Sequence, residues 1–152
     1  MKYKTINELN HFCFSEAHIA EVRASGSSFT MLLDNVTILP ENSRNRDIRQ
    51  MRANQLLLTI SDASIADFIE EGYKLYDADG NLTHQEDDKK LAPDQYAQGF
   101  SDLTDCTVYS IEKTENLYEI SIDTEDRTCL LRVIGKEDTA EWDRFLNLNS
   151  EF

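Results

Sequence analysis

The sequence has no apolar run close to the roughly 20 residues that a membrane-spanning helix needs. Its first residues, MKYKTINELNHF, also lack the apolar core of a signal peptide. The three cysteines, Cys13, Cys106 and Cys129, are an odd number, so no disulfide framework is indicated. We therefore expect a cytoplasmic protein without membrane contact. Cys106 and Cys129 fall in strand patterns and are expected to be small buried hydrophobic residues.

Common catalytic motifs are absent as well. The sequence contains no G-x-S-x-G elbow, no G-x-x-x-x-G-K-[ST] loop, no G-x-G-x-x-G and no H-E-x-x-H. With 29 acidic residues among 152, adjacent carboxylates such as Asp87 and Asp88 arise by chance and indicate no acid–base pair. We predict a non-catalytic protein with no cofactor, and an uncharacterised enzyme is only the third hypothesis.

Basic residues are scarce: 15 against 29 acidic residues, for a formal net charge of −14. Nucleic acid and anionic membranes are bound through Lys and Arg, so this balance argues against both. A basic protein would be attracted, and its association would be accelerated. The same charge can also serve solubility alone.

The most regular pattern in the chain lies between Asp105 and Ile134, where three alternating apolar runs are separated by two polar turns. Alternate residues of a strand point to the same side, so these runs predict an antiparallel meander with one buried face. The predicted core residues are Tyr109, Ile111, Tyr118, Ile120, Ile122, Cys129, Leu131 and Val133.

Further hairpins are predicted upstream. The segment from Ile19 to Leu39 reads as two strands around Ser25–Ser27, with a bulge or turn at Asp34–Asn35. Strands are predicted at 55–60 and 64–70. A hairpin is predicted from Tyr73 to Gln85 around an Asp-Gly turn. One helical turn is predicted at 93–98.

A helix is predicted at each end. Thr5 and Glu8 have the spacing of a capping box, which predicts a helix over 5–12. A closing helix is predicted around Trp142 and Phe145, after the acidic pair Glu137–Asp138. The predicted fold is a single α+β domain over 1–152, dominated by about eight or nine antiparallel strands in hairpins and a meander.

Four arginines mark the segment from Pro40 to Asn54, which has no strand pattern. Arg44, Arg46, Arg49 and Arg52 are candidate contacts to a ligand or partner, because guanidinium groups bind planar oxyanions through two hydrogen bonds. They could equally tie the loop to the acidic surface of the protein itself. A long loop without secondary structure is often functional.

Two patterns resemble metal sites but depart from them in spacing. Residues His11, Cys13, Glu16 and His18 lack the paired spacing of a zinc site. We instead expect Cys13 to pack inward and the histidines to lie at a wet rim. The run from Asp77 to Asn81 copies the start of a calcium loop, but Leu82 stands where the loop needs glycine. A hairpin turn is predicted there.

Two stretches, FSEAHIAEVRASGSSFTMLL and RTCLLRVIGKEDTAEWDRFL, resemble small acidic bacterial β-rich proteins of unknown function, among them some immunity proteins of polymorphic toxin systems. This chain has Ser15-Glu16 where the resemblance favours a pair closer to His-Asp. The resemblance implies a non-catalytic protein that binds another protein. The leading hypothesis is therefore a cytoplasmic protein-binding or inhibitory module with a basic partner, and the alternative is a domain that binds a small anionic ligand through the Arg44–Arg52 segment.

Overall fold

The computed structural model describes residues 1–148, and they form strands with one short α-helix. The helix is α1, Tyr96–Asp102, preceded by a 3₁₀ turn at Pro93–Gln95, with a second 3₁₀ turn at Leu9–His11. The strands are β1 Tyr3–Ile6, β2 Phe12–Cys13, β3 His18–Ser25, β4 Ser28–Asp34, β5 Val36–Ile38, β6 Met51–Ala53, β7 Leu56–Ser61, β8 Ser64–Glu70, β9 Tyr73–Tyr76, β10 Leu82–Glu86, β11 Lys89–Lys90, β12 Thr107–Thr114, β13 Leu117–Asp123, β14 Thr128–Ile134, β15 Glu137–Trp142 and β16 Leu146–Asn147.

Ten of these strands form one antiparallel sheet in the order β1-β15-β7-β4-β3-β12-β13-β14-β8-β11. β7 continues into β8 after a bend, and β14 continues into β15 after another. The same two chain segments therefore pair twice, β7 with β15 and β8 with β14. The sheet therefore curls around its apolar side chains. The second bend needs Gly135, because a Cβ there would overlap the side chain of Ile60.

The predicted antiparallel architecture is confirmed, and so is most of the meander. β12, β13 and β14 pair in sequence, and Tyr118, Ile120, Ile122, Cys129, Leu131 and Val133 are buried on its inner face. The prediction for Tyr109 is wrong, because its side chain is 64% exposed. A bulge between Val108 and Ser110 shifts the alternation by one residue, and Val108 is buried instead.

The predicted hairpins are also present. β3 and β4 pair around a turn in which Gly26 has φ +59°, and Asn35 ends β4 with φ +60°. β5 then leaves the main sheet and joins a second sheet in the order β16-β6-β5-β2. The helical turn predicted at 93–98 begins at Pro93 and continues through α1. Within residues 1–148 we find no helix with the length and apolar character that crossing a membrane would need.

The predicted N-terminal helix is wrong. Residues 3–6 form β1, which pairs with β15 so that Tyr3 lies opposite Trp142 and Thr5 opposite Ala140. The Glu8 carboxylate does not close a capping box on Thr5; it accepts hydrogen bonds from the Ser43 backbone N–H (2.8 Å) and the Ser43 hydroxyl. Strand pairing with β15 thus overrides the local helix signal.

The predicted C-terminal helix is wrong too. Residues 137–142 form β15, hydrogen-bonded to β1 on one side and β7 on the other. Asp138, Ala140 and Trp142 are buried while the residues between them are half-buried, which is the period of a strand. The short strand β16 follows and pairs with β6.

Candidate functional site

The β9–β10 hairpin stands apart from both larger sheets. Its two strands pair only with each other, and every residue from Lys74 to Lys90 is exposed. The turn is held by the Asp77 carboxylate, which accepts the backbone N–H groups of Asp79 and Asn81, each at 2.9 Å. These bonds, that of Asn81 foremost, hold the pKa of Asp77 below its usual value. Gly80 supplies the positive φ (+84°) that the turn requires.

Large apolar side chains on this hairpin face solvent. Leu75, Tyr76 and Leu82 are 51%, 59% and 51% exposed, and Tyr76 lies directly opposite Leu82. Leu75 and Tyr76 are consecutive strand residues, so they point to opposite faces. Neither face of the hairpin is therefore covered by residues 1–148.

The hairpin begins at the rim of an acidic cleft of about 710 Å³. The cleft lies between the end of β8, the segment after α1 and the turn that joins β13 to β14. Its carboxylates are Glu70, Asp102, Asp105, Asp123, Glu125 and Asp126, and among the lining residues Arg127 alone is basic.

Contacts through Arg127 join the cleft to the hairpin. The Arg127 guanidinium lies 3.5 Å from the Glu70 carboxylate and 6.0 Å from the centroid of the Tyr73 ring. The Glu71 N–H donates to the Thr128 carbonyl at 2.8 Å, which holds the start of the hairpin against β14. These contacts place the start of the hairpin beside the cleft, and the two together are here called the acidic face.

Two cysteine thiols, Cys106 and Cys129, also line the cleft. Burial, reinforced by the nearby Glu70 carboxylate, raises the pKa of Cys129 to about 11. Burial and the neighbouring Asp105 raise the pKa of Cys106 as well. Because a thiolate is the reactive form of cysteine, both groups are poor nucleophiles at neutral pH.

The four arginines of the 40–54 segment do not converge. Arg44 and Arg46 line one cavity, whereas Arg49 is 69% exposed and paired with Asp47 at 2.9 Å. Arg52 lies on β6, is 7% exposed and lines a different depression together with His18. The structure thus brings together only the first two of the predicted contacts.

His11, Cys13 and His18 have separate environments in the structure. Cys13 is exposed, contrary to the inward packing predicted for it, because Phe12 is the β2 residue that turns to the core. His11 bonds to Glu8 at 3.0 Å, and His18 lies 3.1 Å from Asp105. Within residues 1–148 no group of three or more His, Cys, Asp or Glu side chains could hold a metal ion.

A buried polar cluster lies elsewhere in the fold. The Tyr118 hydroxyl donates to Asp138 Oδ2 at 2.7 Å, and Lys113 Nζ lies 3.5 Å from the same oxygen. Burial, then the hydrogen bond to Asp138, raises the pKa of Tyr118 well above its usual value. Tyr118 has no exposed surface, so this cluster fixes β13 against β15 and does not present a reactive group.

Sequence reasoning missed the acidic cleft, although a signal for it was available. Asp102 and Asp105 precede β12, Asp123 is the last residue of β13, and Glu125 and Asp126 follow it. In an antiparallel meander the start of the first strand and the end of the second lie at the same end of the sheet, so the two acidic turns had to meet.

Comparison of the chain with protein-family models, curated proteins and solved structures gives no match.

Proposed function

We propose that this protein is a non-catalytic, cytoplasmic binding or inhibitory module that recognises a basic protein through its acidic face. The observation that carries the proposal is the contiguity of the cleft, which gathers six carboxylates, with a hairpin whose apolar side chains are exposed on both faces. An immunity protein that blocks a basic toxin has the same requirements, and this is the class of module we favour.

Charge accounts for the first step of binding. With a net charge of −14, the chain attracts a basic partner over a distance of about 8 Å, the Debye length at physiological salt. A concave site lined by one sign of charge focuses that field. Lysine and arginine side chains of the partner would then enter the cleft, whose lining holds six carboxylates and a single basic residue, Arg127.

The hairpin accounts for the second step. Charge pairs at an interface contribute more to association rate and selectivity than to affinity, which depends on a few buried aromatic or apolar anchors. Tyr76 and Leu82 lie side by side at the end of the hairpin and are available for that role. An isolated two-stranded hairpin has little stability of its own, so contact with a partner would also order it further.

A titration followed by amide chemical shifts tests the proposal. The labelled protein is mixed with a short lysine-rich peptide that carries central leucines, and with a glutamate-rich peptide of the same design. We expect the lysine-rich peptide to bind and the glutamate-rich peptide not to bind. The changes in amide chemical shift should be concentrated between residues 70 and 88 and around the cleft. Shifts spread evenly over all acidic residues, or no binding at low salt, would refute the proposal.

Matched variants separate the two parts of the acidic face. Neutralising Asp123, Glu125 and Asp126 as amides should slow association and flatten its salt dependence. The control neutralises Glu41, Glu112 and Glu115, exposed acids outside the cleft, and removes the same formal charge. Equal effects of the two triple variants would show that net charge, and not the cleft, is responsible.

The apolar part has its own control. Leu82→Ser should speed dissociation of the peptide with little change in its association rate. Ile6→Ser alters a side chain of similar exposure, 52% against 51%, on the edge strand β1. If both serine variants dissociate at the same rate as the parent protein, the hairpin is not an anchor.

A further inference from the structure

A second concave site, of opposite character, lies beside the loop that joins β5 to β6. Its volume is about 560 Å³, within the range of small-molecule sites. Arg44 and Arg46 line it together with an apolar wall formed by Tyr3, Met51 and Phe145. We call it the arginine cavity.

Residues 1–148 leave the positive charge of this cavity without an acidic partner. Neither Arg44 nor Arg46 forms an ion pair within residues 1–148, although acidic residues outnumber basic ones almost two to one in this chain. Arg44 uses its Nε to bond the Lys4 carbonyl at 3.1 Å, which orients the guanidinium and leaves its terminal nitrogens available. Asp47 also lines the cavity, but its two oxygens accept from Arg49 at 3.2 and 2.9 Å.

The apolar wall is built from rings with fixed orientation. The ring of Tyr3 stacks on buried Trp142 at 5.8 Å between centroids and meets the Phe145 ring at 4.8 Å and a steep angle of 74°, and Lys2 Nζ lies 5.5 Å from the Tyr3 centroid. Flat surfaces of this kind prefer flat apolar ligands, which stack or pack edge to face. The cavity therefore combines two guanidinium groups with a wall suited to a ring.

The loop that carries the arginines is held in place before any ligand arrives. Buried Asn45 donates through its side-chain amide to the carbonyls of Ile38, Leu39 and Arg49 at 3.1–3.3 Å. Ser43 bonds to Glu8 through its backbone N–H and its hydroxyl. A site that is already ordered loses less entropy when it binds, so its contacts convert more fully into affinity.

We propose that the arginine cavity binds a small molecule in which a carboxylate or phosphate is attached to a planar apolar ring. The guanidinium groups would hold the oxyanion through charge-assisted hydrogen bonds, and the ring would pack on Tyr3 and Phe145. The ligand is small because a polyanion such as nucleic acid would extend beyond the cavity and be repelled by the chain as a whole, whose net charge is −14. This site is independent of the acidic face and of the function proposed for it.

Calorimetric titration with benzoate and phenyl phosphate tests the proposal, and the two probes distinguish a carboxylate from a phosphate ligand. Benzyl alcohol supplies a ring without charge, and inorganic phosphate supplies charge without a ring. We expect at least one of the two charged aromatic probes to bind, and both incomplete probes to bind at least about tenfold more weakly than it does. Failure of both charged aromatic probes at millimolar concentration overturns the proposal, as does equal binding of either incomplete probe.

Variants locate the site. Arg44→Gln and Arg46→Gln should each weaken binding of the better probe by about tenfold or more, the usual effect of losing a hydrogen bond to a charged group. Arg23→Gln removes an exposed arginine on β3 and serves as the control. Binding that survives both cavity variants, or that falls equally in the control, would contradict the assignment.

The ring wall is tested separately. Phe145→Leu keeps an apolar side chain but removes a flat surface, and it should reduce the preference for phenyl phosphate over inorganic phosphate. Trp142 is the only tryptophan, is fully buried and contacts both Tyr3 and Phe145, so its fluorescence reports on the integrity of the wall. An unchanged preference in a variant with native-like fluorescence would show that the ring does not contact this wall.

Discussion

Replacing Tyr118 with phenylalanine tests the buried polar cluster directly. The change removes one oxygen from a side chain with no exposed surface, and with it the O–H that donates to Asp138 at 2.7 Å. Asp138 is itself only 3% exposed, so water cannot easily replace the lost donor. Hydrogen bonds to charged groups contribute about 1.5–3 kcal/mol, and we expect the free energy of unfolding to fall by about 2 kcal/mol.

Urea denaturation followed by the fluorescence of Trp142 measures this change. The midpoint should fall while the slope with urea stays constant, because the surface exposed on unfolding is unchanged. The thermal midpoint should drop by about 4–8 °C, given the usual 2–4 °C per kcal/mol for a domain of this size. Tyr109→Phe is the matched control, since Tyr109 is 64% exposed and should respond by less than about 0.5 kcal/mol.

A double-mutant cycle decides whether Asp138 is the partner responsible. Asp138→Asn keeps the shape of the side chain and an acceptor oxygen but removes its charge, which also releases Lys113 Nζ at 3.5 Å. We expect the two changes to be non-additive by about 1 kcal/mol or more. Additive effects, or a cost of Tyr118→Phe no greater than that of Tyr109→Phe, would refute the idea that this cluster stabilises the fold.

Three further predictions follow from other parts of the structure. Above pH 10 the unfolded chain releases the Tyr118 proton while the folded chain retains it, so the stability that this group contributes below pH 10 is lost as pH rises; ultraviolet absorbance should show one tyrosine that ionises only with alkaline unfolding. Gly135→Ala should lower stability by about 1–3 kcal/mol in urea, because the added methyl overlaps Ile60, whereas an unchanged midpoint would mean that the bend adapts. A thiol reagent should modify exposed Cys13 first and Cys129 only at the rate of unfolding, and equal rates would contradict the burial of Cys129.

The alternation of apolar and polar residues in the sequence predicts the buried positions correctly where a strand has no bulge. β13 and β14 show this best, because Tyr118, Ile120 and Ile122 on one strand lie opposite Val133, Leu131 and Cys129 on the next. β12 shows the limit of the method. Its bulge changes which residues face inward, and a bulge depends on the partner strand, which the local sequence does not specify.

The two terminal segments show why short amphipathic patterns are ambiguous. Ala140 and Trp142 fit a helix stripe with Phe145, but they also fit a strand whose alternate residue is buried Asp138. A charged residue such as Asp138 is not expected to face the core unless it has polar partners there. Its partners, Tyr118 and Lys113, come from β13 and β12. Sequence reasoning could not resolve the choice without knowing those contacts.

The arginine segment shows a related limit for functional residues. Four guanidinium groups close together in sequence suggested a common site, but only Arg44 and Arg46 share one, because Arg52 belongs to β6 and turns to the interior. The aromatic side chains that complete the arginine cavity, Tyr3 and Phe145, come from opposite ends of the chain. They meet because β1 pairs with β15, an arrangement that the predicted terminal helices would not have produced.

The acidic face and the arginine cavity carry opposite charges, and this difference would direct a basic protein and a small anion to different sites on one acidic chain. A basic protein drawn by the net charge of −14 is repelled by Arg44 and Arg46 and attracted by the six carboxylates of the cleft, so long-range attraction and local repulsion both direct it to the acidic face. A small anion is opposed by the net charge, but at physiological salt that opposition is screened beyond about 8 Å. Two guanidinium groups line the cavity, and its carboxylate, Asp47, is paired with Arg49. Raising the salt concentration should therefore weaken peptide binding at the acidic face more steeply than binding of an aromatic anion at the arginine cavity, because the peptide neutralises several charges at once. Identical salt dependence of the two titrations would mean that both ligands respond to the same diffuse field, and the separation of the two sites would be lost.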